Sequence, residues 1–190
     1  MQSEGEIIQM RNRQKGFSLI ELLIVVVIIL VIAAIAIPNL IRSKMAGNEA
    51  SAVASLQTLS LAFVTYSATW GNAFPPDLNS LRNPPAGTPV DCGTSGAGLV
   101  DDELSGVSAG GTPTSFTKSG YTFNYAGVNP LPAPPDGMGC TAAGFLNIQI
   151  TAVPVTVGST GQRGYLTDES RVIYYTTDGS LPVPGTSPTL

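Results

Sequence analysis

From Phe17 to Ile37 (FSLIELLIVVVIILVIAAIAI) the chain is apolar but for one charge, Glu21. A helix of that length, at 1.5 Å per residue, spans roughly 30 Å, the thickness of one hydrocarbon core. The run is longer than the apolar core of a secretory signal peptide, and no small-residue cleavage box follows it. From Asn39 to Trp70 the pattern becomes amphipathic. Met45, Ala52, Leu56, Leu59, Phe63, Tyr66 and Trp70 recur at spacings of seven, then alternately four and three, which places them on one helical face. That stripe reads as a seam against a core. Gly71 is a candidate C-cap, and the following NAFPP cannot continue a helix. Pro38 is read as a kink within the helix. The prediction is one helix over 17–70, apolar over 17–37 and amphipathic over 38–70.

Beyond Gly71 the chain changes character. Two Gly and Pro residues, Pro38 and Gly47, occur over 17–70, whereas 71–190 is rich in both. Residues 79–119 read as a long irregular connection. β-Branched and aromatic content predicts strands at Tyr121–Tyr125, at Phe145–Val157 interrupted by Pro154, and at Arg171–Thr177, with a shorter one at Tyr165–Thr167. Asp136-Gly137 and Asp178-Gly179 are turn signals. No strand is followed by a helical period, so the sheet should be antiparallel. The expected fold is α+β: a long N-terminal helix whose second half packs on a small antiparallel sheet in a Gly/Pro-rich domain over 71–190.

Composition narrows the chemistry. Of 190 residues 12% are charged and none is histidine, against about 25% charged in an ordinary soluble domain. Without His there is no Ser-His-Asp or Cys-His catalysis and no His-ligated metal. Two cysteines are too few for a Cys-only zinc site or an iron–sulfur cluster. A net charge of −4 gives no basic footprint for nucleic acid. These counts predict a protein that is not an enzyme and carries no cofactor. Arg11, Arg13 and Lys15 precede the apolar run, which by the positive-inside rule keeps the N-terminus cytoplasmic and sends residue 42 onward across the membrane.

Glu21 sits four residues into the run; a carboxylate costs about 2.5–3.5 kcal/mol at the centre of a span and less near the interface, where snorkelling to the headgroups is the plain-anchor reading. Its surroundings, Lys15-Gly16-Phe17-Ser18-Leu19-Ile20-Glu21-Leu22, closely resemble the type III signal of type IV pilins and their pseudopilin relatives. In those proteins a short basic leader ends in Gly, a Phe becomes the mature N-terminus, and a Glu follows four residues on in an unbroken apolar helix. Pro38 also falls where such pilins carry a Pro. The resemblance covers about residues 11–70, and the remainder, including Gly161–Val172 (GQRGYLTDESRV), resembles longer pilin-like chains in a general way. Leu30 departs from it, standing where many pilins have Gly.

The resemblance implies a pilin fold and a role for each of these residues. Residues 1–16 would be a leader cut between Gly16 and Phe17 by a prepilin peptidase, which then N-methylates Phe17. Glu21 would pair with a Phe17 amine during assembly, and Pro38 would allow a bend in the packed helix. The partners implied are further copies of the chain in a helical filament, the peptidase/N-methyltransferase and an inner-membrane assembly platform. The precursor would sit in the inner membrane with its C-terminal domain periplasmic, and the product would be an extracellular type IV pilus. A major pseudopilin of a type II secretion system is the alternative. A signal-anchored exported enzyme or binding domain is a remoter one.

Other signals weigh less. Cys92 and Cys140 lie in the exported part, where a disulfide can form; closing the loop between them is worth about 4 kcal/mol by the chain-entropy model. Two buried free thiols are the alternative. Ser115-Phe116-Thr117-Lys118 fits S-x-x-K, but no S-D-N element accompanies it. Asp101-Asp102-Glu103, Asp168-Glu169 and Asp178 have no EF-hand spacing and read as solvated loops. Phe63, Tyr66 and Trp70 read as core packing.

Overall fold

The computed structural model describes residues 16–71, 73–92, 95–106, 114–132 and 144–190. The chain divides between Leu40 and Ile41 into two units, each taken by itself below. One α-helix, α1, runs from Leu19 to Trp70 with Pro38 inside it. It begins two residues later than the sequence pattern predicts, because Ser18 is the cap: its carbonyl accepts from the Leu22 N–H at 3.3 Å. Gly71 ends the helix at φ 105°, a left-handed conformation that a side chain would oppose.

In the first unit the apolar run is helical and uncovered. Every Leu, Ile and Val from Leu19 to Ile32, together with Ile35 and Ile37, is exposed. Water would not tolerate so continuous an apolar surface, so lipid or other protein has to cover it.

The second unit buries the predicted seam. Ala52, Leu56, Leu59, Phe63 and Tyr66 are buried, while Met45 and Trp70, at the ends of the stripe, are half-buried. They face a five-stranded antiparallel sheet in sequential order: β1 Ser115–Lys118, β2 Tyr121–Pro130, β3 Phe145–Pro154, β4 Gly164–Asp168 and β5 Ile173–Thr176. Tyr121, Phe123 and Tyr125 of β2 and Ile148, Ile150 and Ala152 of β3 supply the buried face, in the period of two that a half-covered strand requires. Phe63 stacks on Tyr125 with ring centroids 5.1 Å apart.

The strand expectations need adjusting. β1 falls inside 79–119, read from sequence as irregular; Ser119 and Gly120, at φ 49° and 74°, fold it back on β2. Both residues at positive φ is the signature of a tight hairpin turn, and Ser at the first position hides it from a Gly/Pro search. β2 continues past Tyr125 to Pro130, and β3 stops at Pro154, since Pro has no N–H to carry the ladder onward. The Asp136-Gly137 turn lies outside the described residues.

The connection before β1 is more ordered than its composition suggests. A short 3-10 helix spans Asn79–Leu81, held by Asp77, whose carboxylate accepts from both the N–H and the hydroxyl of Ser80. Leu78, Leu81, Val100 and Leu104 join the core. Tyr66 and Tyr125 donate their hydroxyls to the carbonyls of Cys92 and Pro75, tying the connection to the helix and to the sheet.

Candidate processing and assembly site

The residues singled out at the helix start lie in a short segment. Gly16 is exposed, and a Cβ built on it would meet nothing within 4 Å. Phe17 is 74% exposed. Among the described residues, nothing covers the Gly16–Phe17 peptide bond. Next, the Ser18 N–H donates to Glu21 Oε2 at 2.9 Å. Ser18-Leu19-Ile20-Glu21 thus forms the carboxylate half of a capping box, in which the third helical residue reaches back to the cap's backbone N–H.

Two physical consequences follow for Glu21. One of its oxygens already has a donor from its own backbone, which lowers the cost of placing the carboxylate in an apolar setting. It also lies in the first helical turn, where the helix dipole favours negative charge. The carboxylate is held one residue from Phe17, the position of the amine that cleavage would release. Ser18 is absent from the expectations drawn from sequence, although the S-x-x-E spacing is a signal that identifies it.

Pro38 lies in the same helix but is not brought to Glu21. At 1.5 Å per residue the two are about 25 Å apart along the axis. Cys92 is buried and disulfide-bonded; Cys140 lies outside the described residues.

The minor signals acquire ordinary roles. Ser115 and Lys118 sit three apart on β1, so they project to opposite faces and form no dyad. Lys118 instead pairs with Glu103 at 3.3 Å. Asp101 accepts from the Leu104 N–H, Asp168 from Ser170 and Asp178 from Ser180, each within its own turn. The Ser180 contacts hold the Asp178 carboxyl below its usual range. Among the described residues no three His, Cys, Asp or Glu side chains gather as a metal site.

The raised phenol ionisations belong to the core. Burial, then the charges of Asp77 and Asp91, pushes the Tyr66 phenol up to about 12. Tyr125 is raised by burial and then by Asp77, and Tyr121 and Tyr165 by burial and then by Glu49. All four hold their protons more tightly than a free phenol, which suits packing and not proton transfer.

The helix that begins just after the exposed Gly–Phe junction, with Glu21 capping its start, is long and apolar enough to cross a membrane. Residues 11–37 match the model of the prokaryotic N-terminal methylation motif, a segment similar to the prepilin signal of type IV pilins and pseudopilins. No curated protein and no solved structure matches the chain. The signal implies processing by a peptidase and association with the membrane.

Proposed function

We propose that the chain is the structural subunit of a type IV pilus, made as an inner-membrane precursor with a cytoplasmic N-terminus and a periplasmic C-terminal domain. The observation that carries this reading is the uncovered apolar helix from Leu19 to Ile37, with Glu21 held at its start. Hydrolysis of the Gly16–Phe17 bond leaves a carboxylate on Gly16 and an amine on Phe17. A methyl group from a sulfonium donor then replaces one N–H hydrogen of that amine, which departs as a proton. Glu21 faces the new cation and, in a filament, the Phe17 amine of its own or a neighbouring copy. The pairing offsets the desolvation of both groups and fixes the register of subunits.

Burying a large aliphatic side chain is worth about 1.5–3 kcal/mol, so removing the run from lipid requires an equally apolar surrounding. A bundle of identical helices supplies one, and this favours a filament over a monomeric anchored enzyme. A disulfide between Cys92 and Cys140 would brace the Gly/Pro-rich surface of the exported domain, which supports a pilus over a pseudopilus. Mass spectrometry of sheared surface material tests the reading. Abundant fibre protein beginning at N-methylated Phe17, with a peptide cross-linked through Cys92 and Cys140, is the expected result. Absence of surface fibres, with a protein-secretion defect on deletion, would assign the subunit to a type II secretion pseudopilus.

A further inference from the structure

One end of the second unit carries an apolar surface that the core does not use. Asn48 Nδ2 donates to the Thr160 carbonyl at 2.7 Å, and Ser51 Oγ donates to Ser119 Oγ at 3.0 Å. Glu49 Oε1 accepts from the N–H groups of Gln162 and Arg163 at 2.9 and 3.3 Å. These contacts gather the β1–β2 turn and the 155–163 connection around helix residues 48–51. The 177–187 segment joins them: Gln162 Nε2 donates to the Thr177 carbonyl, and a Cβ on Gly179 would lie 2.6 Å from a Val157 methyl. On the loops so gathered, Val155, Val157, Leu181 and Val183 are 56, 49, 58 and 57% exposed.

Basic charge at this end comes from the helix. Arg42 and Lys44 are exposed on the helix, whereas the Arg163 guanidinium lies 4.0 Å from the Glu49 carboxylate and 5.5 Å over the Tyr175 ring. Among the described residues, two side-chain carboxylates are near. Glu49 is occupied by Gln162, Arg163 and Tyr165, and Asp178 by Ser180.

We infer that this end of the domain docks on the headgroup region of a lipid bilayer while the chain is still membrane-anchored. Val155, Val157, Leu181 and Val183 make a shallow apolar contact, and Arg42 and Lys44 lie at the level of the lipid phosphates. The inference rests on the reading that 17–37 spans the membrane, and the chain itself supplies the reason for choosing lipid. Asn48 follows Ile37 by eleven residues, about 16 Å of helix. The loops bonded to residues 48–51 are therefore tethered near the bilayer surface at whatever angle the helix takes. Apolar side chains beside basic ones are what an interfacial contact requires. Docking would hold the domain against the membrane until the assembly machinery lifts it.

The test uses the full chain reconstituted in phosphatidylethanolamine/phosphatidylglycerol vesicles, with single nitroxide labels on Val157→Cys, Val183→Cys, Leu146→Cys and Val27→Cys variants. Leu146 is a control of similar exposure, 52%, at the opposite end of β3. Collisions with lipid-soluble oxygen should rise at 157 and 183, and collisions with a water-soluble nickel chelate should fall, relative to 146. Val155→Asp combined with Val183→Asp should restore nickel access at 157 with the circular dichroism unchanged. Equal nickel access at 157, 183 and 146, with 27 lipid-buried, overturns the docking and leaves the anchor intact. Nickel access at 27 overturns the anchor reading itself. Protection at 157 and 183 that grows with the protein-to-lipid ratio without a gain in oxygen collisions assigns the surface to a second copy and also overturns the proposal.

Discussion

The backbone N–H of Ser18 donates to the carboxylate of Glu21 at 2.9 Å, so the one charge in the apolar run is engaged by the residue that starts its helix. Capping and charge pairing are thus two separable duties of the same side chain. Gln keeps an oxygen for the Ser18 N–H but loses the charge, and Val loses both. We expect Glu21→Gln and Glu21→Val each to give cleaved protein and few filaments when expressed alone. Only the Val variant should also show fraying of the first helical turn by amide hydrogen exchange. Normal filament yield from Glu21→Gln would show that the charge is dispensable.

Among the described residues, nothing lies within 4 Å of where a Cβ on Gly16 would stand. Gly16→Leu therefore leaves the fold unchanged, and any effect belongs to recognition by the peptidase. The expected outcome is precursor-length protein accumulating in the inner membrane, read by immunoblot against the wild-type band. A mature-length band would overturn the assignment of the cleavage site.

Glu49 acts as a clamp between the helix and the β3–β4 connection, since its Oε1 accepts from Gln162 and Arg163 N–H groups. Glu49→Ala leaves those donors without a protein acceptor and should destabilise the domain by about 1–3 kcal/mol. Glu49→Gln retains an acceptor oxygen and should lose less. Chemical denaturation of the full chain in detergent, followed by fluorescence, measures both.

Phe63 has no exposed surface and stacks on Tyr125, whereas Leu61, two residues away on the same helix, is 60% exposed. Phe63→Ala should cost about 3–5 kcal/mol through lost burial and the cavity left behind. Leu61→Ala should change stability by no more than about 0.5 kcal/mol. Comparable losses in the two variants would contradict the packing of the helix on the sheet.

Alkaline pH should unfold the domain. Tyr66 ionises near its ordinary value of 10.0 in the unfolded chain but at about 12 when folded. A folded value raised in this way contributes stability fully present below pH 10 and lost as pH rises through 12. Burial also raises Tyr121, Tyr125 and Tyr165, so they add in the same direction. Tyrosinate absorbance and near-ultraviolet circular dichroism, followed together, should change in one cooperative step. Tyr66→Phe should make that step less steep.

Much of this arrangement is legible without coordinates. Leu56, Leu59, Phe63 and Tyr66 declare their common face through their spacing, and all four are buried. β3, β4 and β5 are near where their β-branched and aromatic residues place them, because each is bounded by Pro, Gly or an Asp-led turn. β1 is not legible. Only Phe116 of its four residues is buried, and its pairing depends on a turn begun by Ser119 at φ 49°, a conformation that Ser gives no reason to expect. Ser18 is the reverse case, a local signal that propensity alone overlooks but the capping-box spacing identifies.

The sequence by itself determined the N-terminal part of this protein: the apolar run, the Gly16–Phe17 junction, Glu21 and the helix through Pro38. Each rests on neighbours within one or two helical turns, so contiguous residues carry the whole signal. The tertiary structure decided the rest. It set the clamp of Asn48 and Glu49 on residues more than a hundred positions later, the tyrosines that lose water, and the loops that meet at residues 48–51. Those outcomes depend on how the sheet reverses the chain and closes on the helix, and no periodicity along the sequence records contacts made across such distances.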